Sequence, residues 1–394
     1  MENTKVLMLG WEYPPHNSGG LGVACQGIVE NLVDLGQEVV LVLPSMEKIA
    51  DGESTFLLSP GGKSYKVIYV QSPIRPYVGK DGQSYSGDIV RDVEMFARKV
   101  LAAVESLDFD LIHVHDWLTV PAGIAVKEKS GKPMVMHVHA TEYDRTAGIG
   151  ANQKVSEIET KGFDEADLII TVSHYTKRLL VEKFGVKEEK IKVVHNGNNY
   201  FPEKGKVSVE FLKHSPVVIF VGRLTVQKGP DYFLSLARKV LAKRPETIFV
   251  FAGNGEMYQH LMLTSAYRRL SGSVLFAGFL RDIAKDRLYQ RADVFVMPSV
   301  SEPFGIVALE AATAGVPVIV SKTSGAAEVL LSAIKIDFWD TDMMAGSVLR
   351  LIENGDYKRE LGEKIKEEAG AVTWDKAAMK IKDSYQQLLI PANG

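Results

Sequence analysis

The sequence predicts an α/β fold built from two doubly wound parallel sheets. Short β-branched and apolar runs alternate with helical patterns through nearly all of the 394 residues, which is the sequence form of repeated strand–helix–strand units. A polar stretch over 198–215 interrupts that alternation once. At roughly 100–200 residues per domain, the halves on either side are each long enough for a core of their own.

In the first half, strands are expected at 5–9, 38–43, 66–70, 111–114, 133–138, 168–172 and 191–194, with helices between them such as 24–35, 88–107 and 175–184. Residues 198–215 hold Pro202 and Gly205 and no sustained apolar run, which reads as a linker. Alternation resumes with strands at 217–221, 247–251, 274–277, 294–297 and 316–320, and helices that include 230–242 and 306–314. The stretch 374–389 has helical spacing. The organisation expected is therefore a first domain over 1–197, a linker over 198–215 and a second domain over 216–374, followed by a helix within 375–394.

Composition narrows the function classes. Hydrophobic residues make up 46% and charged residues 24%, ordinary for a globular chain. A formal net charge of −3 gives no basic excess, so no nucleic-acid partner is expected. Cys25 is the single cysteine, which rules out an intramolecular disulfide and fits a reducing compartment. It sits in an apolar helical run, the setting of a small buried hydrophobe rather than a reactive thiol. The opening MENTKVLMLGW enters a strand directly, and no apolar run approaches the length that crosses a bilayer. A cytoplasmic location with no transmembrane segment is expected, and peripheral membrane contact stays open.

The distinctive residues follow strands, where ligands bind in open α/β sheets. GWEYPPHNSGGLG follows the first strand, and glycines such as Gly20 let backbone approach a ligand closely. Asp116 follows the fourth strand and His139 the fifth. In the second half, Gly222 and Arg223 follow a strand, with Lys228 five residues on. Two cations there suit a diphosphate, or else are two solvated surface charges. In SEPFGIVALEAATAG, Glu302 lies in a loop before a helix expected to begin near Phe304, so Gly305 and Ile306 fall at its amino end, where backbone N–H groups suit phosphate. Glu310 lies eight residues beyond Glu302 in an apolar helix, where an unpaired carboxylate would be costly. If two such sheet edges face each other they form a deep cleft, suited to a reaction between two substrates.

Histidines 113/115 and 137/139 are each two apart in a strand, so each pair shares a face. A metal would need both pairs to converge, and hydrogen-bonded strand histidines are the reading preferred. Asp108-Phe109-Asp110 and Asp340-Thr341-Asp342 match a D-x-D pattern, but neither sits at a strand's carboxyl end. No metal and no cofactor are expected.

Together these motifs resemble the retaining GT-B glycosyltransferases of family 4, kin of the glycogen and starch synthases. The resemblance spans nearly the whole chain. It rests on the E-x7-E element Glu302 to Glu310, on VGRLTVQKG with Arg223 and Lys228, and on VHNG, HVHDW and HVHATEYDR. It implies that Arg223 and Lys228 bind the donor diphosphate and stabilise the departing phosphate. It implies that Glu302 holds sugar hydroxyls, Glu310 the ribose, and Gly305 and Ile306 the phosphate through N–H groups. His139 would lie near the reacting sugar, Asp116 on the acceptor side, and the final helix would cross back onto the first domain. The first loop reads Asn17-Ser18-Gly19-Gly20 where bacterial glycogen synthases carry Lys-Thr-Gly-Gly. This departure, with the presence of Glu310, favours family 4 over a true glycogen synthase.

The function expected is transfer of a hexosyl group, glucosyl favoured, from a nucleoside-diphosphate sugar to an acceptor hydroxyl with retention. UDP, ADP and GDP donors all remain open, as do α-glucan, small-molecule and lipid-linked acceptors. A nucleotide-sugar epimerase or a non-catalytic nucleotide-sugar-binding protein would use the same donor features. A dinucleotide-dependent oxidoreductase is excluded by the missing G-x-G-x-x-G spacing.

Overall fold

The computed structural model describes residues 3–15, 19–45, 52–72, 74, 89–200 and 215–390. Residues 17, 18, 202 and 205, singled out above, lie outside them. The chain forms two compact units, one of Met1–Tyr143, Gly148–Gly197 and Thr373–Gly394, the other of Asp144–Ala147 and Asn198–Val372.

The first unit contains β1 (Lys5–Leu9), α1 (Gly20–Asp34), β2 (Glu38–Ser45), β3 (Glu53–Leu58), β4 (Ser64–Gln71), α2 (Ile89–Val104), β5 (Leu111–His115) and α3 (Asp116–Ser130). After these come β6 (Met134–Val138), α4 (Glu142–Arg145), α5 (Gln153–Glu165), β7 (Leu168–Thr171), α6 (His174–Phe184) and β8 (Ile191–Val193). The eight strands are ordered β3-β4-β2-β1-β5-β6-β7-β8. All neighbours are parallel except β3 and β4. Strand β3 is absent from the sequence reading for a physical reason. It lies at the sheet's edge with Phe56 and Leu58 two-thirds exposed, so no buried face imprints a period of two.

The second unit runs β9 (Val217–Val221), α7 (Pro230–Leu241), β10 (Ile248–Ala252), α8 (Tyr258–Tyr267), β11 (Val274–Gly278), α9 (Asp282–Arg291) and β12 (Val294–Met297). It continues with α10 (Ile306–Thr313), β13 (Val318–Ser321), α11 (Ala326–Val329), β14 (Ile334–Ile336), α12 (Thr341–Glu353) and α13 (Gly355–Gly370). Its sheet is ordered β11-β10-β9-β12-β13-β14 and is parallel throughout. The three-residue β14 is too short to read from sequence. Helix α14 (Trp374–Leu389) follows the second unit in the chain but packs on α1 of the first.

Both cores follow from the strands' composition. Central strands buried on both faces read as continuous apolar runs, such as Val217–Val221 and residues 6–9 of β1. In the second unit Phe220, Phe233, Phe249 and Phe251 form a buried aromatic cluster, with rings 4.9–5.7 Å apart. Each such side chain contributes roughly 1.5–3 kcal/mol by leaving water. In both sheets the strand order reverses once, between β1 and β5 and between β9 and β12. The loops leaving those four strands sit at the switch points where open α/β sheets bind ligands.

Candidate functional site

In the second unit the switch point gathers the phosphate-site candidates. Gly222 and Arg223 follow β9 directly, and Lys228 ends a short 3-10 turn over Val226–Lys228. The β12 loop is bound to that turn, since Val300 N–H donates to the Gln227 carbonyl at 2.9 Å. Gly229 allows the contact. Its φ is +65°, and a Cβ there would stand 2.1 Å from the Pro298 carbonyl oxygen. The two loops are thereby held so that Lys228 Nζ donates to both Glu302 oxygens, at 2.9 and 2.8 Å. Ser299 Oγ donates to the same carboxylate at 3.1 Å. Glu302 is 5% exposed, and the ion pair with two hydrogen-bond donors offsets its loss of water.

The helix beyond begins at Ile306, the start of the 306–314 span read from the sequence, rather than near Phe304. Phe304 is buried in the loop, and Gly305 takes the helix N-cap with φ +98°. A Cβ at Gly305 would meet Met297 Cε at 2.8 Å. The first turn of α10 thus begins against the end of β12, with its N–H groups and positive dipole end at the switch point.

Glu310 corrects a sequence argument. It was singled out because an unpaired carboxylate in an apolar helix would be costly to bury. It is buried but paired, accepting from Lys285 Nζ at 2.7 Å and from Tyr289 Oη at 2.9 Å. Both partners come from α9, one helical turn apart, more than twenty positions earlier in the chain. No local spacing announces them. Burial, then the charge of Glu310 and their hydrogen bond, push the Tyr289 hydroxyl well above its usual range, so it stays a donor. Tyr200 extends the network. Its hydroxyl donates to Asp286 at 2.5 Å, and its ring lies 5.5 Å from the Lys285 ammonium.

In the first unit the two histidine pairs do converge. β5 and β6 are neighbours with His115 opposite His137, so a side-chain period of two brings all four rings to one face. The rings stack with centroids 4.4–5.5 Å apart. Ring nitrogens of His113, His115 and His137 lie within 4.8 Å of one another. These nitrogens also bond to each other. His137 Nδ1 meets His113 Nε2 at 3.3 Å, His115 Nδ1 meets His139 Nε2 at 2.8 Å, and His113 Nδ1 pairs with the Tyr385 hydroxyl of α14. Burial disfavours imidazolium throughout the stack and pushes His115 down to about 3.

Asp116 opens α3 directly from β5, with φ +55°. It is 4% exposed, and its Oδ1 accepts from the backbone N–H groups of His139, at 2.7 Å, and Ala140, at 3.3 Å. The carboxylate thus fixes the loop that carries His139. Charge-assisted bonds of this kind contribute about 1.5–3 kcal/mol each. Gly20 is exposed at the first position of α1, beyond the end of β1. The two D-x-D matches are engaged elsewhere. Asp108 and Asp110 bind Lys5 at the amino end of β1, and Asp340 caps α12 while Asp342 pairs with Lys239.

Comparison with known proteins accounts for this arrangement. The family Glycosyl transferases group 1 matches residues 203–368, and Glycosyltransferase Family 4 matches residues 18–199. An uncharacterized glycosyltransferase of Methanocaldococcus jannaschii is 31% identical over 97% of this chain and 98% of its own. A glycogen synthase of Mycobacterium tuberculosis is 30% identical over 83% of this chain and 80% of its own. Among solved structures, sucrose-phosphate synthase from Thermosynechococcus elongatus superposes with TM-score 0.81 at 19% identity, covering 98% of this chain and 99% of that one. The catalytic domain of starch synthase IV from Arabidopsis thaliana, bound to ADP and acarbose, superposes with TM-score 0.73 at 16% identity, covering 98% and 99%. Among the described residues no helix is long and apolar enough to cross a membrane. With these relatives and two doubly wound sheets, the chain belongs to the GT-B glycosyltransferases of group 1 and family 4.

Proposed function

We propose that this glycosyltransferase is a retaining, metal-independent hexosyltransferase that moves a glucosyl group from UDP- or ADP-glucose to a carbohydrate hydroxyl. The observation that carries the reading is the Lys228–Glu302 pair at the amino end of α10, beside Gly222 and Arg223 on one sheet edge. A cation for phosphate and a carboxylate for sugar hydroxyls are there held in contact. The glycogen synthase likeness supports glucose as the transferred sugar.

In this reading the domain over 216–374 binds the donor. Arg223, Lys228 and the N–H groups of Gly305 and Ile306 hold the diphosphate, Glu302 the sugar and Glu310 the ribose. In the domain over 1–197, Asp116 serves the acceptor side and His139 the reacting sugar, and Gly20 offers backbone to a ligand at close approach. The bond from the anomeric carbon to the diphosphate breaks while the acceptor oxygen bonds on the same face. The acceptor proton passes to the departing phosphate. Arg223 and Lys228 stabilise the charge that develops there, and positioning does the rest.

Calorimetric titration of UDP-, ADP- and GDP-glucose in the presence of a chelator tests this. One nucleotide sugar should bind wild type and be lost in Arg223→Ala. Binding by none, or binding restored only by a divalent ion, refutes the donor site as described. The anomeric configuration of the transferred sugar, read by proton NMR, tests retention.

A further inference from the structure

His139 is held from two sides. Asp116 fixes its backbone, and His115 holds its ring through the 2.8 Å contact from Nδ1 to His139 Nε2. A neutral imidazole carries one N–H and one lone pair, so this contact admits two proton arrangements. In one, His115 donates from Nδ1 and keeps a bare lone pair on Nε2. In the other, His139 donates from Nε2 and His115 carries its proton on Nε2.

The surroundings of His115 separate the two. Its Nε2 is buried and has no hydrogen-bond partner among the described residues. A buried N–H without an acceptor is the rarer and more costly defect, whereas an acceptor left under-satisfied is better tolerated. The first arrangement leaves only a lone pair there. His137 shows the same pattern, with Nδ1 toward His113 and Nε2 without a partner among the described residues.

We propose that His115 is a positioning residue that donates from Nδ1 to His139 Nε2 and so fixes His139 in the tautomer that carries its proton on Nδ1. His139 then turns a hydrogen-bond donor, and no basic lone pair, toward its remaining edge. The inference deepens the reading above, in which His139 meets the reacting sugar. There the ring stabilises a sugar oxygen by donation and takes no proton from the acceptor. This agrees with an acceptor proton that leaves on the phosphate. The stacked His137 ring, 4.4 Å away at 13°, limits rotation that would carry Nε2 out of this contact.

Nitrogen-15 NMR of the full chain, labelled at histidine, tests it. The chain has nine histidines, so His139 is assigned by comparison with His139→Gln. In wild type the His139 proton is expected on Nδ1. In His115→Phe, which keeps a stacked ring but offers no donor, the tautomer ratio should shift at least tenfold toward Nε2–H. In His115→Asn, whose amide N–H can stand where Nδ1 stood, the Nδ1–H form should return. A wild-type proton on Nε2, or a ratio unchanged in His115→Phe, overturns the proposal. The wild-type spectrum decides the tautomer even if His115→Phe does not fold. The spectrum involves no substrate. If His139→Gln transfers sugar normally, the role of His139 in transfer fails while the tautomer result stands independently.

Discussion

Lys228 and Glu302 are 74 positions apart in the chain, yet one ammonium meets both oxygens of one carboxylate. The pair has a double consequence for substitution. Lys228→Ala should slow transfer by about 10²–10³-fold, the usual cost of removing one donor to a developing oxyanion. It also leaves Glu302 buried with Ser299 as its remaining side-chain donor among the contacts described, so the melting temperature should fall as well. Steady-state turnover and a thermal melt on the same sample check both, and near-normal turnover refutes the leaving-group role. Glu302, Glu310, Arg223 and Lys228 stand out in the sequence as candidates because the cations follow a strand, Glu302 precedes a helix and Glu310 is charged in an apolar helix. The partners of Glu310 were not. Lys285 and Tyr289 reach it from another helix, and an ordinary-looking LYQ segment gives no hint of it. His115 was noticed, but the direction of its bond to His139 depends on burial that only the fold supplies.

Among elements, the parallel β5 and β6 matter most, because they bring four histidines into one buried stack. Their titration gives a sign for the stability of the first unit. Burial holds each folded-state pKa below the ordinary 6.5. The unfolded chain therefore takes up protons that the folded chain refuses. Stability from these groups is complete above about pH 6.5 and is lost as pH falls from there toward the folded values. Each histidine that is protonated only when unfolded costs about 1.4 kcal/mol per pH unit. Calorimetric melting of the first unit should thus occur at lower temperature at pH 5 than at pH 7.5, and an equal or higher value at pH 5 refutes the neutral stack. The alternation of strands and helices was readable throughout, but element edges were less so. Helix α10 starts at Ile306 and not nearer Phe304 because Gly305 adopts a left-handed turn that the sequence permits without dictating. Strand β3 lacks a buried face and β14 lacks length.

At the scale of the molecule, the first unit is discontinuous in sequence. Trp374, Ala378, Ile381 and Tyr385 form the buried face of α14, at the spacing of one helical stripe. Gly27 of α1 makes room for it, since a Cβ there would fall 2.4 Å from the Trp374 ring. Trp374→Ala should lower the stability of the first unit by about 3–5 kcal/mol. Differential scanning calorimetry should show its transition move down while that of the second unit stays. An unmoved first transition would mean that the helix adds little to that core.

This discontinuity also orders events during synthesis. The second unit is nearly one unbroken segment, Asn198–Val372, and every strand of its sheet is made before Trp374 leaves the ribosome. The first unit has all eight strands by residue 193, yet its α1 face and the Tyr385 partner of His113 wait for α14. At about 5–20 residues per second the delay is roughly 10–40 s. For that interval the nascent chain carries an apolar helix face and a half-partnered histidine stack, while the later-made unit can already be complete. The half translated first is the half finished last.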